Sequence, residues 1–403
     1  MKNIPYPFII AAALILVLFT AFLIWGVPYF FQPIQIPSGG ETFGSQAVRG
    51  QVTKILEEGQ VKLGDKSQLY QVVEVNLLEG EYKGVPFQME YGKRQLRSDN
   101  LRFAPGDEIF VTLGKNPDDG SLQLYYVDYV RSGPMLLLAL VFVLATLLMA
   151  RWKGLGSLVA LAISMGMIIG YIIPHILSGE DPVKVSLIGS MILLALTLYL
   201  TYGWNLKTHA SVLSMILSLL LTGALTVLFV SLTRLTGYGD ENALYLIQYS
   251  SVTIDPRGLL LGGMIIGALG VLDDLVTSQS AAVVEIHDAN PSLGFRRTFE
   301  KAMRIGQDHV AATVNTLVLA YTGAALPLLL LFTLGNGNYG FLLNSEFLAE
   351  EIVRTLVGSL GLIAAVPIST LVATALILYQ GHLGAWRALL GPETGDEPGH
   401  GHR

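Results

Sequence analysis

The stretch GLLLGGMIIGALGVLDDLVTSQSAAVVEI, residues 258–286, decides the class of fold. It is apolar for more than the roughly 20 residues that cross a hydrocarbon core, yet it contains Asp273 and Asp274. At about 1.5 Å per residue a helix here is about 43 Å long, so it must tilt, protrude or break near the two aspartates. We therefore predict a transmembrane helix with acidic side chains inside it or, if the helix protrudes, at its wet cytoplasmic end.

Comparable apolar runs recur along the chain. Together with residues 258–286, which form the sixth, they give eight candidate membrane spans. The others cover residues 8–31, 134–150, 155–177, 183–202, 210–232, 308–333 and 352–379. The 403 residues are 52% hydrophobic and 14% charged, which excludes an ordinary soluble enzyme and a disordered chain. The net charge of −6 gives no basic field for nucleic acid, and the absence of cysteine excludes thiol catalysis and thiolate metal sites.

Charged residues concentrate between the first and second spans, where the pattern changes to short strands. Extended runs rich in Val, Tyr, Phe and Ile lie near residues 45–57, 68–78, 85–91, 108–113 and 121–131. These runs predict a small barrel of the oligonucleotide/oligosaccharide-binding (OB-like) type. The expected fold is a polytopic α-helical membrane protein, with about eight transmembrane helices and a small extracytoplasmic all-β domain.

Lys and Arg in the short loops set the orientation, because cytoplasmic loops are enriched in them. They place both termini in the cytoplasm of a bacterium, with a multi-pass chain in the plasma membrane. The predicted domains are an N-terminal transmembrane anchor, a linker, an extracytoplasmic β domain, a seven-helix transmembrane domain and a cytoplasmic tail. Their ranges are 1–31, 32–44, 45–131, 134–380 and 381–403.

The sixth and seventh spans carry the candidate polar site. An Asp at the bilayer centre costs roughly 2.5–3.5 kcal/mol, and apart from Lys184 and Arg354 at span ends no Lys or Arg is predicted inside a span to neutralise it. Helical spacing gives the sixth span a broad polar face and aligns polar residues along the start of the seventh. The site residues predicted on these two faces are Asp273, Asp274, Thr277, Gln279, Glu285, Asp308, His309 and Asn315. Gly263, Gly267 and Gly270 form a small-residue face suited to close helix packing.

Three other motifs have a structural alternative that we favour. GYGD, residues 237–240, resembles the GxGD motif of intramembrane aspartyl proteases, but its position in an external loop favours a glycine turn. The basic cluster Lys93, Arg94, Arg97 and Arg102 could bind an anion or a lipid head group, but a solvated strand face is the better interpretation. His400 and His402 lie in a tail too short for a metal site.

Four segments together resemble the YibE/F-like family of bacterial multi-span membrane proteins. They are VLDDLVTSQSAAVVEI from Val271, AMRIGQDHVAATVNTLVLAYTGAALPLLLLF from Ala302, YVDYVRSGPMLLL from Tyr126 and RWKGLGSL from Arg151. The resemblance implies the architecture of an anchor, an external β segment and a seven-span block, and it assigns no catalytic residue.

Two classes of function remain. The first is a transporter or permease, coupled to protons or cations, with the acidic site between spans six and seven and an unidentified small solute or ion. The second is a membrane scaffold or accessory factor whose residues 45–131 bind an envelope component or partner protein. No P-loop, HExxH, GxSxG or EF-hand motif is present, so we predict no enzyme and no cofactor; whether a metal binds is left open.

Overall fold

The computed structural model describes residues 47–63, 66–94, 101–115, 121–249, 253–334, 339–381, 390 and 392. The predicted anchor 1–31, the linker 32–44 and almost all of the tail 381–403 lie outside the described residues, as do Arg97, His400 and His402. The chain divides into two compact units, one ending at Ala145 and one starting at Thr146.

The first unit contains a closed five-stranded barrel. Its strands are β1 Ala47–Leu63, β2 Lys66–Leu77, β3 Pro86–Tyr91, β4 Glu108–Lys115 and β5 Leu122–Tyr129. The strand order is β1-β2-β3-β5-β4, and β1 closes the barrel by pairing with β4. All pairs are antiparallel except β3 with β5. The prediction of a small barrel is confirmed.

Alternating side chains of the strands fill the barrel interior, as the period of two in a half-buried strand requires. Val73, Val75 and Leu77 of β2 point inward with Ile109 and Val111 of β4. The strands therefore close around an apolar core.

One polar side chain is also fully enclosed in the barrel. Gln71 accepts a hydrogen bond from the Phe103 amide at 2.7 Å and donates to the Phe103 carbonyl at 3.2 Å. This pair of bonds ties the segment before β4 to the barrel.

The basic cluster of the barrel is paired with glutamates. Lys93 lies 2.8 Å from Glu57, Arg102 lies 2.8 Å from Glu58, and Arg94 lies 3.3 Å from Glu90. All three described bases therefore have carboxylate partners, which supports the solvated strand face over an anion site.

The second unit is helical. Its elements are α1 Ser132–Met167, a π-helical segment Ile168–Ile172, α2 Ile173–Leu177, α3 Pro182–Tyr202, α4 Leu206–Leu232, α5 Glu241–Tyr249, α6 Pro256–Ala289, α7 Phe295–Ala324, α8 Leu326–Leu334, α9 Tyr339–Asn344 and α10 Glu346–Leu378. Helix α1 begins in the first unit and is kinked at Arg151, where φ is 49°.

Six segments in the described part of the chain are long and apolar enough to cross a membrane. They are Ser132–Arg151, Gly154–Leu177, Pro182–Tyr202, Leu206–Leu232, Pro256–Ala289 and Glu346–Leu378. They match six of the eight predicted spans, so the chain is a multi-pass integral membrane protein.

The predicted seventh span, residues 308–333, is not one continuous helix. Helix α7 ends at Ala324 and α8 starts at Leu326. Pro327 has no N–H to donate to the carbonyl one turn earlier, which favours a break here. The apolar run is therefore divided between two helices, and the predicted total of eight spans is not confirmed.

Helix α6 lies at the centre of this unit and contacts α3, α4, α7 and α10. Its side chains Ile265, Leu272 and Val276 belong to the main buried cluster, together with Met215 of α4 and Leu362 of α10. The residues before and after Asp273 are thus embedded in the bundle.

Candidate functional site: a polar cavity beside helix α6

Helix α6 is unbroken from Pro256 to Ala289, so its adjacent aspartates point in different directions. Asp273 is half-buried and Asp274 is exposed. The two carboxylates therefore point away from each other, and Asp273, unlike Asp274, lines the cavity that α6 forms with α3.

The cavity beside Asp273, called here the Asp273 cavity, has a volume of about 380 Å³. It lies between α3, α6 and the helix that runs from Gly154 through the π-helical segment. Besides Asp273 its polar lining residues are Ser157, Ser164, Ser190, Thr197, Thr201 and Tyr202. Asp273 is the single charged residue among the described residues that line it.

Two polar atoms in this lining lack partners. The Oδ1 atom of Asp273 and the Oγ atom of Ser190 are buried and have no hydrogen-bond partner among the described residues. Buried polar groups are normally hydrogen-bonded, and buried carboxylates are normally paired. A carboxylate surrounded by hydroxyl groups can accept a proton, water or a small cation with oxygen ligands.

The predicted site shared by the sixth and seventh spans is not formed as expected. Asp308 and Asn315 of α7 are exposed, and none of α7 is among the described residues that line the Asp273 cavity. His309 is half-buried, and its Nδ1 atom lies 3.3 Å from the Ser278 Oγ atom of α6. At about 100° per residue, Ser278 and Asp273 lie on different faces of α6, which separates this contact from the cavity.

Gln279 has a packing role in the structure. Its side chain is buried, and its Nε2 atom donates to the Ala302 carbonyl of α7 and to Thr370 Oγ1 of α10, each at 2.8 Å. It joins three helices through hydrogen bonds. Two predicted site residues remain. Thr277 is buried, and its Oγ1 atom has no hydrogen-bond partner among the described residues, whereas Glu285 is exposed.

Close helix packing uses different glycines from those predicted. A Cβ atom at Gly262 would lie 2.5 Å from Ser186 Oγ of α3, so this glycine permits the approach of α3 to α6. Gly263 and Gly270 have open space at that position and instead line cavities, and Gly267 has only the Tyr321 hydroxyl at 3.5 Å. The packing face is shifted by one residue because the predicted glycine face is turned toward the cavities.

The GYGD loop is held by two glutamates at the start of α10 that the sequence analysis did not single out. Glu346 accepts a hydrogen bond from the Gly237 amide at 2.9 Å, and Glu350 accepts one from the Gly239 amide at 3.2 Å. Gly237 has a φ of 83°, as the glycine-turn interpretation requires. Asp240 and Asp273 line different cavities, so the structure does not bring them together as a catalytic pair.

Helix α3 contributes lining residues that were not predicted. Ser186, Ser190 and Thr197 are buried on this helix, and their spacing of four and seven residues places them on one face. That periodicity is visible in the sequence and could have identified α3 as a lining helix.

Comparison with known proteins gives one family. The model of a family described as YibE/F-like protein matches residues 138–378, which is more than half of the chain. No curated protein and no solved structure gives a match.

Proposed function

The chain belongs to the YibE/F-like protein family, and we propose that it is a membrane transporter in which the Asp273 cavity binds a proton or a small cation. The observation that carries this proposal is the buried Oδ1 atom of Asp273, which has no partner among the described residues and lies in a cavity that six hydroxyl-bearing residues also line. Ionisable residues inside membrane segments are costly and commonly mark ion or proton pathways.

The lining chemistry supports a positively charged ligand. Asp273 is acceptor-only when ionised, and the described lining contains hydroxyl oxygens and no Lys, Arg or His. A cavity of about 380 Å³ is far larger than the roughly 10–15 Å³ that one water needs, so a partly hydrated cation has room. A proton carried on the carboxylate fits the same site.

The adjacent aspartate provides a matched control. Asp273→Asn and Asp274→Asn remove the same charge one residue apart, but only Asp273 lines the cavity. Each variant is reconstituted into proteoliposomes with an entrapped pH dye and, in parallel, dyes for Na⁺ and K⁺, and ion flux is followed after an imposed gradient. We expect Asp273→Asn to abolish flux of the transported ion and Asp274→Asn to retain it.

Two outcomes would reject the transport proposal. If the unmodified protein moves none of these ions, or if Asp273→Asn retains full flux, the cavity is not the transport site. Size-exclusion chromatography of each variant separates loss of function from loss of folding.

A partner-binding role for the β domain has its own supporting observation. The β1–β2 ladder extends to Leu63 paired with Lys66, well beyond the last core residue of β1, Val52. Ile55 and Leu56 are exposed on this extension. If the accessory role is correct, exchanging both for Ser should abolish cellular function while ion flux in proteoliposomes is unchanged.

A further inference from the structure

A second cavity lies at the other end of the same helices. Called here the Glu350 cavity, it has a volume of about 310 Å³ and contains Asp240, Glu350 and Arg354 in its lining. Ser186 of α3 also lines it, and the Oγ atom of Ser186 is fully buried without a partner among the described residues. The cavity therefore has a charged end and a buried hydroxyl, as the Asp273 cavity does.

Three isoleucines line both cavities: Ile168 and Ile172 of the π-helical segment and Ile266 of α6. They belong to one hydrophobic cluster, and Ile172 is only 2% exposed. On α6, Ile266 lies between Gly263 of the Glu350 cavity and Gly270 of the Asp273 cavity. The isoleucines thus occupy the point where the two cavities approach each other.

The opposite wall has the same arrangement on α3. Ser186 lines the Glu350 cavity and Ser190, one helical turn later, lines the Asp273 cavity. Gly189 lies between these serines, and a Cβ atom added there would lie 2.7 Å from Ile172 Cγ1. Ile172 therefore packs directly onto the backbone of α3 between the two unpartnered hydroxyls.

The backbone that carries Ile172 is π-helical. The Ile173 amide donates to the Ile168 carbonyl in the five-residue spacing of a π-helix, and the helix is α-helical on both sides. Single π-turns inside α-helices occur frequently at functional sites. Since one residue turns a helix by about 100°, conversion of this turn to α-helix would rotate Ile172 relative to the rest of the helix.

We propose that Ile168, Ile172 and Ile266 form a hydrophobic gate between the Glu350 cavity and the Asp273 cavity. Ser186 contacts the permeating ion on the Glu350 side of the gate, and Ser190 contacts it on the Asp273 side. This inference rests on the proposed transport function. The gate keeps the two cavities separate, and movement of Ile172 away from Gly189 joins them. The role of the isoleucines is positional, because they exclude water and ions without binding them.

The test uses the natural absence of cysteine in the chain. Ser186→Cys and Ser190→Cys are made separately in the full-length protein, and a charged, membrane-impermeant thiol reagent is added to one side of sealed vesicles at a time. We expect Ser186→Cys to react from one side only and Ser190→Cys from the opposite side only.

Opening the gate should change this pattern. When Ile172→Ala is added, Ser190→Cys should react from the side that reaches Ser186→Cys, with a rate increase of about tenfold or more, equivalent to about 1.4 kcal/mol in the barrier. Ile192→Ala on α3 is the matched control, because Ile192 is exposed and lines neither cavity. Ile266→Ala replaces Ile172→Ala if the latter is not monodisperse.

The gate is rejected if both cysteines react from the same side in the otherwise unchanged chain. It is also rejected if Ile172→Ala and Ile266→Ala leave the reactivity of Ser190→Cys unchanged, including the case in which it never reacts. Thiol labelling requires no transport, so Asp273→Asn with full ion flux would reject the proposed function while leaving this result intact.

Discussion

Replacement of Asp273 by Asn should stabilise the folded protein while abolishing transport. The Oδ1 atom of Asp273 is buried without a partner among the described residues, so the carboxylate has an uncompensated desolvation cost. A fully inserted Asp costs roughly 2.5–3.5 kcal/mol, and half-buried Asp273 should cost about half of that, or about 1–2 kcal/mol. Asn has nearly the same size and no charge, so it should recover most of this free energy.

The measurement is thermal unfolding of the purified, detergent-solubilised protein, with unmodified protein and Asp274→Asn as references. A change of 1 kcal/mol shifts the midpoint of a large domain by about 2–4 °C, so Asp273→Asn should raise it by several degrees. Asp274→Asn removes the same charge from an exposed position of the same helix, so it is the reference for loss of a carboxylate that does not line the Asp273 cavity. All samples are heated at one scan rate, because unfolding of such proteins is often irreversible.

A lower midpoint for Asp273→Asn than for the unmodified protein would refute this reasoning. It would mean that the Asp273 carboxylate makes a stabilising interaction in the resting protein, and the free acceptor on which the transport proposal depends would not exist. An equal midpoint for Asp273→Asn and the unmodified protein would mean that the Asp273 carboxylate has no net desolvation cost.

Three further changes test the packing and the barrel. Gly262→Ala should lower the unfolding midpoint because the new methyl group meets Ser186 of α3. Gly263→Ala is the control: its methyl group enters open space, so the midpoint should stay unchanged or rise. Equal effects of the two substitutions would contradict the shifted packing face. Gln279→Leu should destabilise the protein by about 1–2 kcal/mol in thermal unfolding. Interhelical hydrogen bonds in membranes average about 0.6 kcal/mol, and this substitution removes two of them and leaves their buried partners unsatisfied. An unchanged stability would mean that the three helices pack without these hydrogen bonds. The hydrogen bond from Lys93 lowers the pKa of Glu57, so its contribution to barrel stability is present above the ordinary carboxyl pKa and lost as the pH falls through the lowered value. Glu57→Gln should therefore reduce the acid-induced loss of hydrogen-exchange protection in β1 of the full-length protein, with each rate divided by its intrinsic rate at the same pH. An unchanged loss of protection would refute the contribution.

The spans and strands could be predicted because each depends on a local pattern. Runs of about 20 apolar residues located six spans, and alternating apolar residues located all five strands, although β1 continues to Leu63, beyond its predicted end near residue 57. The break after Ala324 was less visible, because proline is tolerated inside membrane helices and Pro367 does lie within the continuous helix α10. Sequence alone does not distinguish a proline that ends a helix from one that remains inside it.

Only part of the candidate site could be predicted, because the site depends on how the helices pack. The acidic residues of α6 were visible, but the partner of each face depends on which neighbouring helix packs there. Helical periodicity separates Asp273 from Ser278 without indicating that the first faces α3 and the second faces α7. Ile172 was missed because an apolar side chain in an apolar span becomes important only when two helices bring it to one cavity, whereas Ser190 belongs to a polar face of α3 that the sequence does show.

The direction of the helices assigns a role to α7 that its composition obscures. Helices α6 and α10 run parallel: Leu260 packs near Val353 at their starts, Gln279 bonds to Thr370 further along, and their ends meet in a third contact region. Two parallel helices that follow each other in the chain need a return path between them. Helix α7 begins beside the later part of α6, at the bond from Gln279 to Ala302, and runs back along it. Helix α7 and the short α8 therefore carry the chain back along the bundle, from the end of α6 towards the start of α10, and the residues that α7 buries on this path include the small Ala302 and Gly306.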